Sequence, residues 1–218
     1  MSNTLKIDFV SDVVCPWCAV GLAGLNTALE RLDAGTRVEL TFHPFELNPD
    51  MPAAGAVQLD YITEKYRISP DQARANREQI RARAAAVGFT MNRDDASRVY
   101  NTFDAHRLIA WAREKDAQAA LKAALLKAYF TDGKNIAERD VLIGIAAQVG
   151  LDSAEAGEIL ESDRYAQEVR DEEVLWVQRG ISSVPAVVVN DRYLIPGGQP
   201  PEVYEEQLRA ILAGDGQA

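Results

Sequence analysis

The feature that most constrains this chain is a pair of cysteines, Cys15 and Cys18, separated by Pro16 and Trp17. Before the pair, apolar and polar side chains alternate as in a strand, and after it apolar side chains recur at helical spacing. Proline is well suited to the first position of a helix, where its missing N–H is not needed. The pattern therefore predicts a strand, a turn that carries Cys15 as the helix N-cap, and a helix that begins at Pro16.

This predicted position gives the Cys15 sulfur a chemical role. A helix N-terminus presents unsatisfied N–H groups and the positive end of the helix dipole, and both stabilise a thiolate. Thiols in such positions ionise at lower pH than a free cysteine, and the thiolate is the nucleophile. We expect Cys15 to lie at the exposed start of the helix and to attack first. Cys18, one turn later, is expected to be more buried and to resolve the mixed disulfide.

Two other interpretations of the cysteine pair are half of a zinc site and two unreactive buried thiols. A closed zinc site needs four ligands, and the only histidines, His43 and His106, lie far apart in sequence. A disulfide between Cys15 and Cys18 would also close too small a loop to stabilise a chain of 218 residues appreciably. We therefore expect redox chemistry at the pair, with no metal and no cofactor.

The rest of the chain has a recognisable order of elements. A strand pattern covers residues 37–42, a helical pattern 57–179, two strand patterns 186–189 and 192–195, and a helical pattern the segment from 201 onward. Asn190 and Asp191 suit a two-residue hairpin turn, and Pro200 and Pro201 suit the start of the last helix. The order βαβ, many helices, ββα predicts an α/β fold with an inserted all-helical domain.

Pro185 lies between the predicted end of a helix at Gly180 and the strand pattern at 186–189. Taken alone, a trans proline at the start of an edge strand is the simpler interpretation. The cysteine pair and this order of elements resemble a thioredoxin fold, in which a cis-proline precedes this strand and faces the dithiol. The resemblance therefore implies that the Val184–Pro185 bond is cis and that Pro185 faces the dithiol. The backbone of Val184 would then be free to pair with an extended substrate.

Composition excludes several partners. The net charge of −10 repels phosphate backbones and anionic lipid surfaces, so neither nucleic acid nor a membrane is an expected partner. The longest apolar runs fall far short of the roughly 20 residues of a membrane-spanning helix, and no export signal is visible. We expect a soluble cytoplasmic protein, either a monomer or a homodimer.

Five short stretches together resemble the DsbA-like family, in particular its FrnE-type branch, which is related to 2-hydroxychromene-2-carboxylate isomerases and kappa-class glutathione transferases. They are residues 11–18 (SDVVCPWC), 44–49 (PFELNP), 101–108 (NTFDAHRL), 184–185 (VP) and 195–200 (IPGGQP). The resemblance implies a thioredoxin fold formed by residues 1–52 and 166–218. It also implies an inserted helical domain, residues 53–165, that covers the dithiol, and disulfide exchange as the activity.

The roles of several other side chains stay open at this stage. His106 resembles a family position that lines the cleft, where it would donate a hydrogen bond or move a proton, and the alternative is a structural histidine. Trp17, Phe45 and Trp111 form either an apolar substrate surface or part of the core. The acidic run at residues 171–173 is expected to be a solvated helix face.

The chain also departs from some of these relatives. The isomerases and kappa-class transferases generally have serine at the position of Cys15, because they activate the thiol of glutathione instead. Exported DsbA proteins have histidine inside the motif, whereas Trp17 carries no positive charge to stabilise a thiolate, so a less oxidising dithiol is expected.

We therefore predict a thiol–disulfide oxidoreductase that acts on disulfide-containing proteins or small thiols, with glutathione as a candidate partner. In a reducing cytosol, reduction or isomerisation is favoured over net oxidation. The alternatives are a glutathione-dependent isomerase or transferase acting on an aromatic small molecule, and a peptide-binding holdase. The predicted catalytic residues are Cys15, Cys18 and Pro185, and the predicted substrate contacts are Pro16, Trp17, Val184, Phe45 and His106.

Overall fold

The structure is a computed structural model that describes residues 4–52 and 54–214. In chain order the elements are β1 (Thr4–Ser11), α1 (Pro16–Glu30), β2 (Arg37–Pro44), β3 (Ala56–Val57), α2 (Gln58–Tyr66), α3 (Pro70–Ala86), β4 (Arg98–Val99), α4 (Phe103–Arg113), α5 (Gln118–Phe130), α6 (Arg139–Gln148), α7 (Ser153–Glu161), α8 (Ala166–Gln178), β5 (Ala186–Val189), β6 (Tyr193–Pro196) and α9 (Pro201–Ala213). Residues 1–3, 53 and 215–218 of the predicted domains lie outside the described residues.

A four-stranded sheet in the order β2-β1-β5-β6 forms the centre of the α/β part. β1 runs parallel to β2 and antiparallel to β5, and β5 pairs with β6 in an antiparallel hairpin. The predicted turn is confirmed: Asn190 and Asp191 have φ values of 54° and 55°, as a tight hairpin with a right-handed twist requires. The predicted fold class is confirmed by this sheet and the helices around it.

The inserted segment is mainly helical and contains α2 to α7. It also contains a two-stranded antiparallel ribbon, β3 with β4, that the helical pattern gave no reason to expect. Each of its strands is two residues long, too short for an alternation of side chains to stand out in the sequence. The start of α3 follows its sequence signal: Ser69 and Gln72 form a capping box, with Pro70 at the start of the helix.

The backbone of α1 lies very close to the segment between β6 and α9. A Cβ added at Gly24 would lie 2.7 Å from the carbonyl oxygen of Gln199, and one added at Gly198 would lie 2.7 Å from the carbonyl oxygen of Trp17. Both distances are shorter than real Cβ contacts, so these two positions require glycine for the observed packing. The N-terminal half of α1 is thereby held against the C-terminal part of the chain.

A buried charge cluster joins β1 and β2 to two helices. His43 lies 2.8 Å through Nε2 from Asp8 and 2.9 Å through Nδ1 from Glu172, and Glu172 accepts a 2.6 Å hydrogen bond from Arg113. Glu172 and Glu173 are each only 16% exposed, so the expectation of a solvated helix face at 171–173 is wrong at these two residues. Glu172 is covered at its contacts with His43 and Arg113, which the sequence separates widely, and Glu173 is paired with Arg170.

Burial would raise the pKa of Glu172, but hydrogen bonds from His43 and Arg113 lower it to about 2. Burial would lower the pKa of His43, but its bonds to Asp8 and Glu172 outweigh burial and raise the pKa above 6.5. The stability contributed by His43 is therefore complete below pH 6.5 and lost as pH rises through the raised value. The stability contributed by Glu172 is present above pH 4.5 and lost as pH falls toward about 2.

Among the helices of residues 4–52 and 54–214, none is long and apolar enough to cross a membrane.

Replacing His43 with glutamine should remove the pH dependence of stability that comes from the His43 side chain. The difference in free energy of unfolding between wild type and H43Q should be largest below pH 6.5 and should shrink as pH rises, because neutral imidazole loses its charge interaction with the two carboxylates. Urea unfolding at a series of pH values measures it. A difference that stays constant between about pH 5 and pH 9 would contradict the assignment of charge to His43.

Replacing Gly24 with alanine should destabilise the protein by about 1–3 kcal/mol, because the new methyl group overlaps the carbonyl of Gln199. Gly144 in α6 is the matched control: a Cβ there has nothing within 4 Å, so G144A should stabilise by about 0.5–1 kcal/mol. Urea denaturation compares the two variants. Equal effects would mean that the packing of α1 does not depend on Gly24.

Candidate active site

The dithiol sits where the sequence predicts it, at the start of α1. Cys15 is the N-cap and Pro16 occupies the first turn. The backbone N–H groups of Cys18 and Ala19 donate to the Cys15 carbonyl oxygen at 3.1 and 3.3 Å, which closes the first turn of the helix. The predicted strand, turn and helix around the cysteine pair are therefore confirmed.

Both cysteines are free thiols, and they approach each other to 3.3 Å. Cys15 is 4% exposed and Cys18 is fully buried. The expectation that Cys15 lies at an exposed position is therefore wrong, because its sulfur is covered by the segment that precedes β5. Burial raises the pKa of Cys18 well above its usual value, and the hydrogen bond to Cys15 raises it further.

The covering segment contains Val184 and Pro185, and the peptide bond between them is cis, as predicted. The Cys15 thiol donates to the Val184 carbonyl oxygen with a sulfur to oxygen distance of 3.7 Å. The Pro185 carbonyl accepts a 2.8 Å hydrogen bond from the N–H of Gly197. The segment before β5 and the segment after β6 are thus tied together, and the first of them faces the reactive sulfur.

Three ionisable side chains are buried behind the dithiol: Asp12 is fully buried, Lys122 is 1% exposed and His106 is 2% exposed. Asp12 accepts a 2.8 Å hydrogen bond from the N–H of Leu47 and lies 3.3 Å from Nε2 of His106. Burial would raise the pKa of Asp12, but the bonds from His106 and Leu47 and the charge of Lys122 lower it. The carboxyl group is held as the anion inside the protein.

Lys122 supplies positive charge to the same region. Burial lowers its pKa, while the negative charges available at Cys18, Asp12 and Cys15 oppose that effect. The same lysine charge opposes the rise in the Cys18 pKa. At this site, the effect of burial on each pKa is therefore opposed by a neighbouring opposite charge. Such arrangements are often found where a protein controls proton transfer.

Sequence reasoning assigned no role to Asp12 or Lys122, although a signal for Lys122 exists. It occupies the same helical stripe as Leu125, Leu126 and Tyr129, at spacings of three, four and seven residues, and these three side chains are buried. A lysine in such a stripe stands where an apolar residue is expected. Buried lysines are rarely found without an electrostatic partner.

A cavity of about 550 Å³ opens beside the dithiol, between the start of α1 and helices α2 and α3. Of the predicted site residues, Cys15, Pro16, Trp17 and Val184 line it. Trp17 is 39% exposed, consistent with a position at the cavity wall.

Three side chains considered for substrate contact lie elsewhere. Phe45 packs on a small apolar cluster around Trp176, His106 contacts Asp12 inside the protein, and Trp111 is fully buried in the main core. Within residues 4–52 and 54–214, no group of three or more His, Cys, Asp or Glu side chains is arranged to hold a metal ion.

A sheet of this topology with a dithiol at a helix N-terminus opposite a cis-proline defines the class of thioredoxin-fold oxidoreductases. The model of the DSBA-like thioredoxin domain matches residues 6–209, so the chain belongs to the DsbA-like thioredoxin domain family. The resemblance inferred from the short motifs is confirmed.

The chain is similar to several individual proteins of this kind. The uncharacterized protein YwbO of Bacillus subtilis is 28% identical over 94% of this chain and 96% of its own. The crystal structure of a probable DsbA oxidoreductase from Streptomyces coelicolor is 32% identical, with a TM-score of 0.91 over 98% of this chain and 92% of that one. The cytosolic disulfide reductase DsbM of Pseudomonas aeruginosa, solved with GSH, shares the fold at 21% identity, with a TM-score of 0.66 over 95% and 99%.

Limited alkylation should label Cys15 before Cys18, because Cys18 is fully buried and its pKa is raised. We expect at least about a tenfold preference, since each unit of thiol pKa changes the thiolate fraction tenfold at neutral pH. Both cysteines fall in one tryptic peptide, residues 7–31, so fragment ions between them must assign the label. The variant C15S is the control and should react slowly. Labelling mainly at Cys18 would remove Cys15 as the attacking thiol.

Proposed function

We propose that this protein catalyses thiol–disulfide exchange, with Cys15 as the attacking thiol and Cys18 as the resolving thiol. The single observation that carries the proposal is the approach of the two free thiols to 3.3 Å at the start of α1. Such a separation allows a disulfide to form with little movement of the backbone. Membership of the DsbA-like family supports the same reaction type.

Exchange would proceed in two steps that together transfer two electrons. The Cys15 thiolate attacks one sulfur of the substrate disulfide, forms a mixed disulfide and releases the other sulfur as a thiolate, which takes up a proton. Cys18 then loses its proton, attacks the Cys15 sulfur and releases the second substrate sulfur. The substrate is reduced to two thiols, and the protein is left with a Cys15–Cys18 disulfide that small thiols such as glutathione would reduce again.

The buried charges would act on the second step. Cys18 must lose a proton although it is fully buried, which is costly in an apolar surrounding. The positive charge of Lys122 favours the Cys18 thiolate, so we assign Lys122 as a positioning and electrostatic residue for resolution. Asp12 also acts on Cys18, since a hydrogen bond with its backbone favours the Cys18 thiolate, and His106 holds the Asp12 carboxylate at 3.3 Å.

The substrates that fit this proposal are disulfides of proteins or of small thiols. The segment before Pro185 is proposed to pair with an extended chain, since Ser182 and Ser183 are exposed there. Glutathione is proposed as a partner by analogy with DsbM, whose structure contains GSH. We further propose that the protein works in the cytosol, where reduction or isomerisation is favoured over net oxidation. A glutathione-dependent isomerase is a weaker candidate, because both cysteines are present.

Replacing Cys18 with serine should leave the attack by Cys15 intact and remove the internal thiol that resolves the mixed disulfide. Covalent adducts with glutathione should therefore accumulate after mixing with glutathione disulfide, and intact mass spectrometry should detect them. The matched variant C15S should trap nothing, because its remaining thiol is fully buried and has a raised pKa. Equal capture by both variants would mean that Cys15 is not the unique nucleophile. Absence of capture by C18S, while wild type reduces the same disulfide, would contradict the two-step mechanism.

A further inference from the structure

The charge of the cavity beside Cys15 is opposite to the charge of the whole chain. The protein carries 33 acidic and 23 basic side chains. Among the described residues that line the cavity, four are cationic, namely Lys65, Arg77, Arg81 and Arg93, and none is acidic. Arg77 is paired with Asp95 at 2.7 Å and Arg81 with Glu78 at 3.1 Å. Within residues 4–52 and 54–214, Lys65 and Arg93 bond to neutral groups instead, so these two give the cavity its excess of positive charge. Its electrostatic potential favours an anion over a neutral or cationic ligand.

Two of these cations have hydrogen-bonding capacity that the described part of the chain leaves unused. The Nε–H groups of Arg77 and Arg93 are buried and have no acceptor among residues 4–52 and 54–214. Arg93 is 5% exposed, and its other guanidinium bonds go to backbone carbonyls and to the Tyr129 hydroxyl rather than to a carboxylate. A buried guanidinium with a free donor is costly without an acceptor. Because this Nε is itself buried, a ligand in the cavity would interact with the charge of Arg93 rather than with that donor, and an oxyanion is the group that the charge favours.

The remaining walls are largely apolar. Leu59 and Ile62 come from α2, Ile80 from α3 and Phe130 from the end of α5. Leu59 and Ile62 are only partly buried, and α2 has no fully buried residue, so these side chains keep apolar surface that a ligand could cover. Burial of apolar ligand surface against these walls would favour binding. The ligand therefore needs an apolar body in addition to its negative charge.

Size and position complete the description. About 550 Å³ lies in the range of small-molecule sites, roughly 300–1,000 Å³, and is too small for a folded protein. Cys15 forms part of the wall, so a ligand in the cavity lies within reach of the attacking sulfur. The hydrogen bond of Cys15 to Val184 fixes the sulfur at this edge of the cavity.

We propose that the cavity binds low-molecular-weight organic disulfides that carry a carboxylate on an aromatic or branched apolar arm. The proposal rests on the disulfide exchange proposed above and specifies its substrate class. Cys15 attacks the sulfur nearest the cavity, the arm in the cavity stays as the mixed disulfide, and the other sulfur leaves as a thiolate. Cys18 then forms the Cys15–Cys18 disulfide and releases the arm as its thiol, so the reduced protein is the reductant for one turnover.

The test is a single-turnover comparison of three disulfides with the pre-reduced protein. Dithiobis(nitrobenzoate) is aromatic and anionic, dipyridyl disulfide is aromatic and neutral, and dithiodipropionate is anionic without an aromatic arm. Each rate constant is divided by that of free 2-mercaptoethanol, an uncharged thiol, with the same disulfide, which corrects for differences in intrinsic reactivity. The normalised rate for the anionic aromatic disulfide should exceed the other two by about tenfold or more, and the excess should fall with added salt.

Two pairs of variants locate the effect. K65Q should lower the normalised rate for dithiobis(nitrobenzoate) by about fivefold and leave the rate for dipyridyl disulfide unchanged, whereas K127Q, at an exposed lysine paired with Asp132, should change neither. I62W fills part of the cavity and should slow both aromatic disulfides, whereas V174W, at a site that is 55% exposed, should not. Because Lys65 is exposed, K65Q keeps the test valid if I62W fails to fold.

Equal normalised rates for the three disulfides, or variants that match their controls, would overturn the assignment of the cavity. Disulfide exchange itself would still stand if C18S captured glutathione as described above. Failure of the wild type to react with any of these disulfides or with glutathione disulfide would overturn the proposed function as well.

Discussion

The close contact between α1 and the turn that precedes α9 determines where the reactive sulfur lies. A Cβ at Gly24 or at Gly198 would lie 2.7 Å from a backbone carbonyl oxygen of the other segment. Because glycine has no Cβ, the backbones of α1 and the turn can lie in contact. The same turn also holds the segment before β5, because the N–H of Gly197 donates a hydrogen bond to the Pro185 carbonyl. Because both attachments converge on the start of α1, Cys15 is placed against the Val184 carbonyl at 3.7 Å. Its low exposure follows from this packing.

Behind the sulfur atoms, the protein buries charge instead of excluding it. Asp12 and Lys122 have opposite charges and are both nearly inaccessible, and His106 contacts Asp12. Burying such groups costs free energy unless they are paired. In our account these buried groups serve the resolving step. Cys18 must ionise away from solvent, and Lys122 and Asp12 favour its thiolate. The basic cavity on the other side of Cys15 would meanwhile select the substrate.

The sequence predicted the parts of this arrangement that depend on local physical rules. The helix start at Pro16 and the turn at Asn190 follow from backbone preferences of single residue types, whereas the cis bond before Pro185 was expected only from the order of elements around the cysteine pair. Contacts between distant segments were not predictable in the same way. The low exposure of Glu172 depends on His43 and Arg113, which lie far away in sequence. The approach of the Val184–Pro185 segment to Cys15 was expected, but not that it would leave Cys15 only 4% exposed. The burial of Lys122 was signalled by its helical stripe, but its partners were not.

The central claim is that Cys15 and Cys18 form one reversible redox pair, and equilibration with glutathione buffers tests it most directly. After acid quenching, intact mass spectrometry should show one transition in which the wild-type protein loses two hydrogens, with a two-electron dependence on the buffer. Substitution of either cysteine by serine should abolish that transition. A wild-type protein that stays fully reduced across the series, or that accumulates glutathione on both cysteines without forming the internal disulfide, would contradict the account.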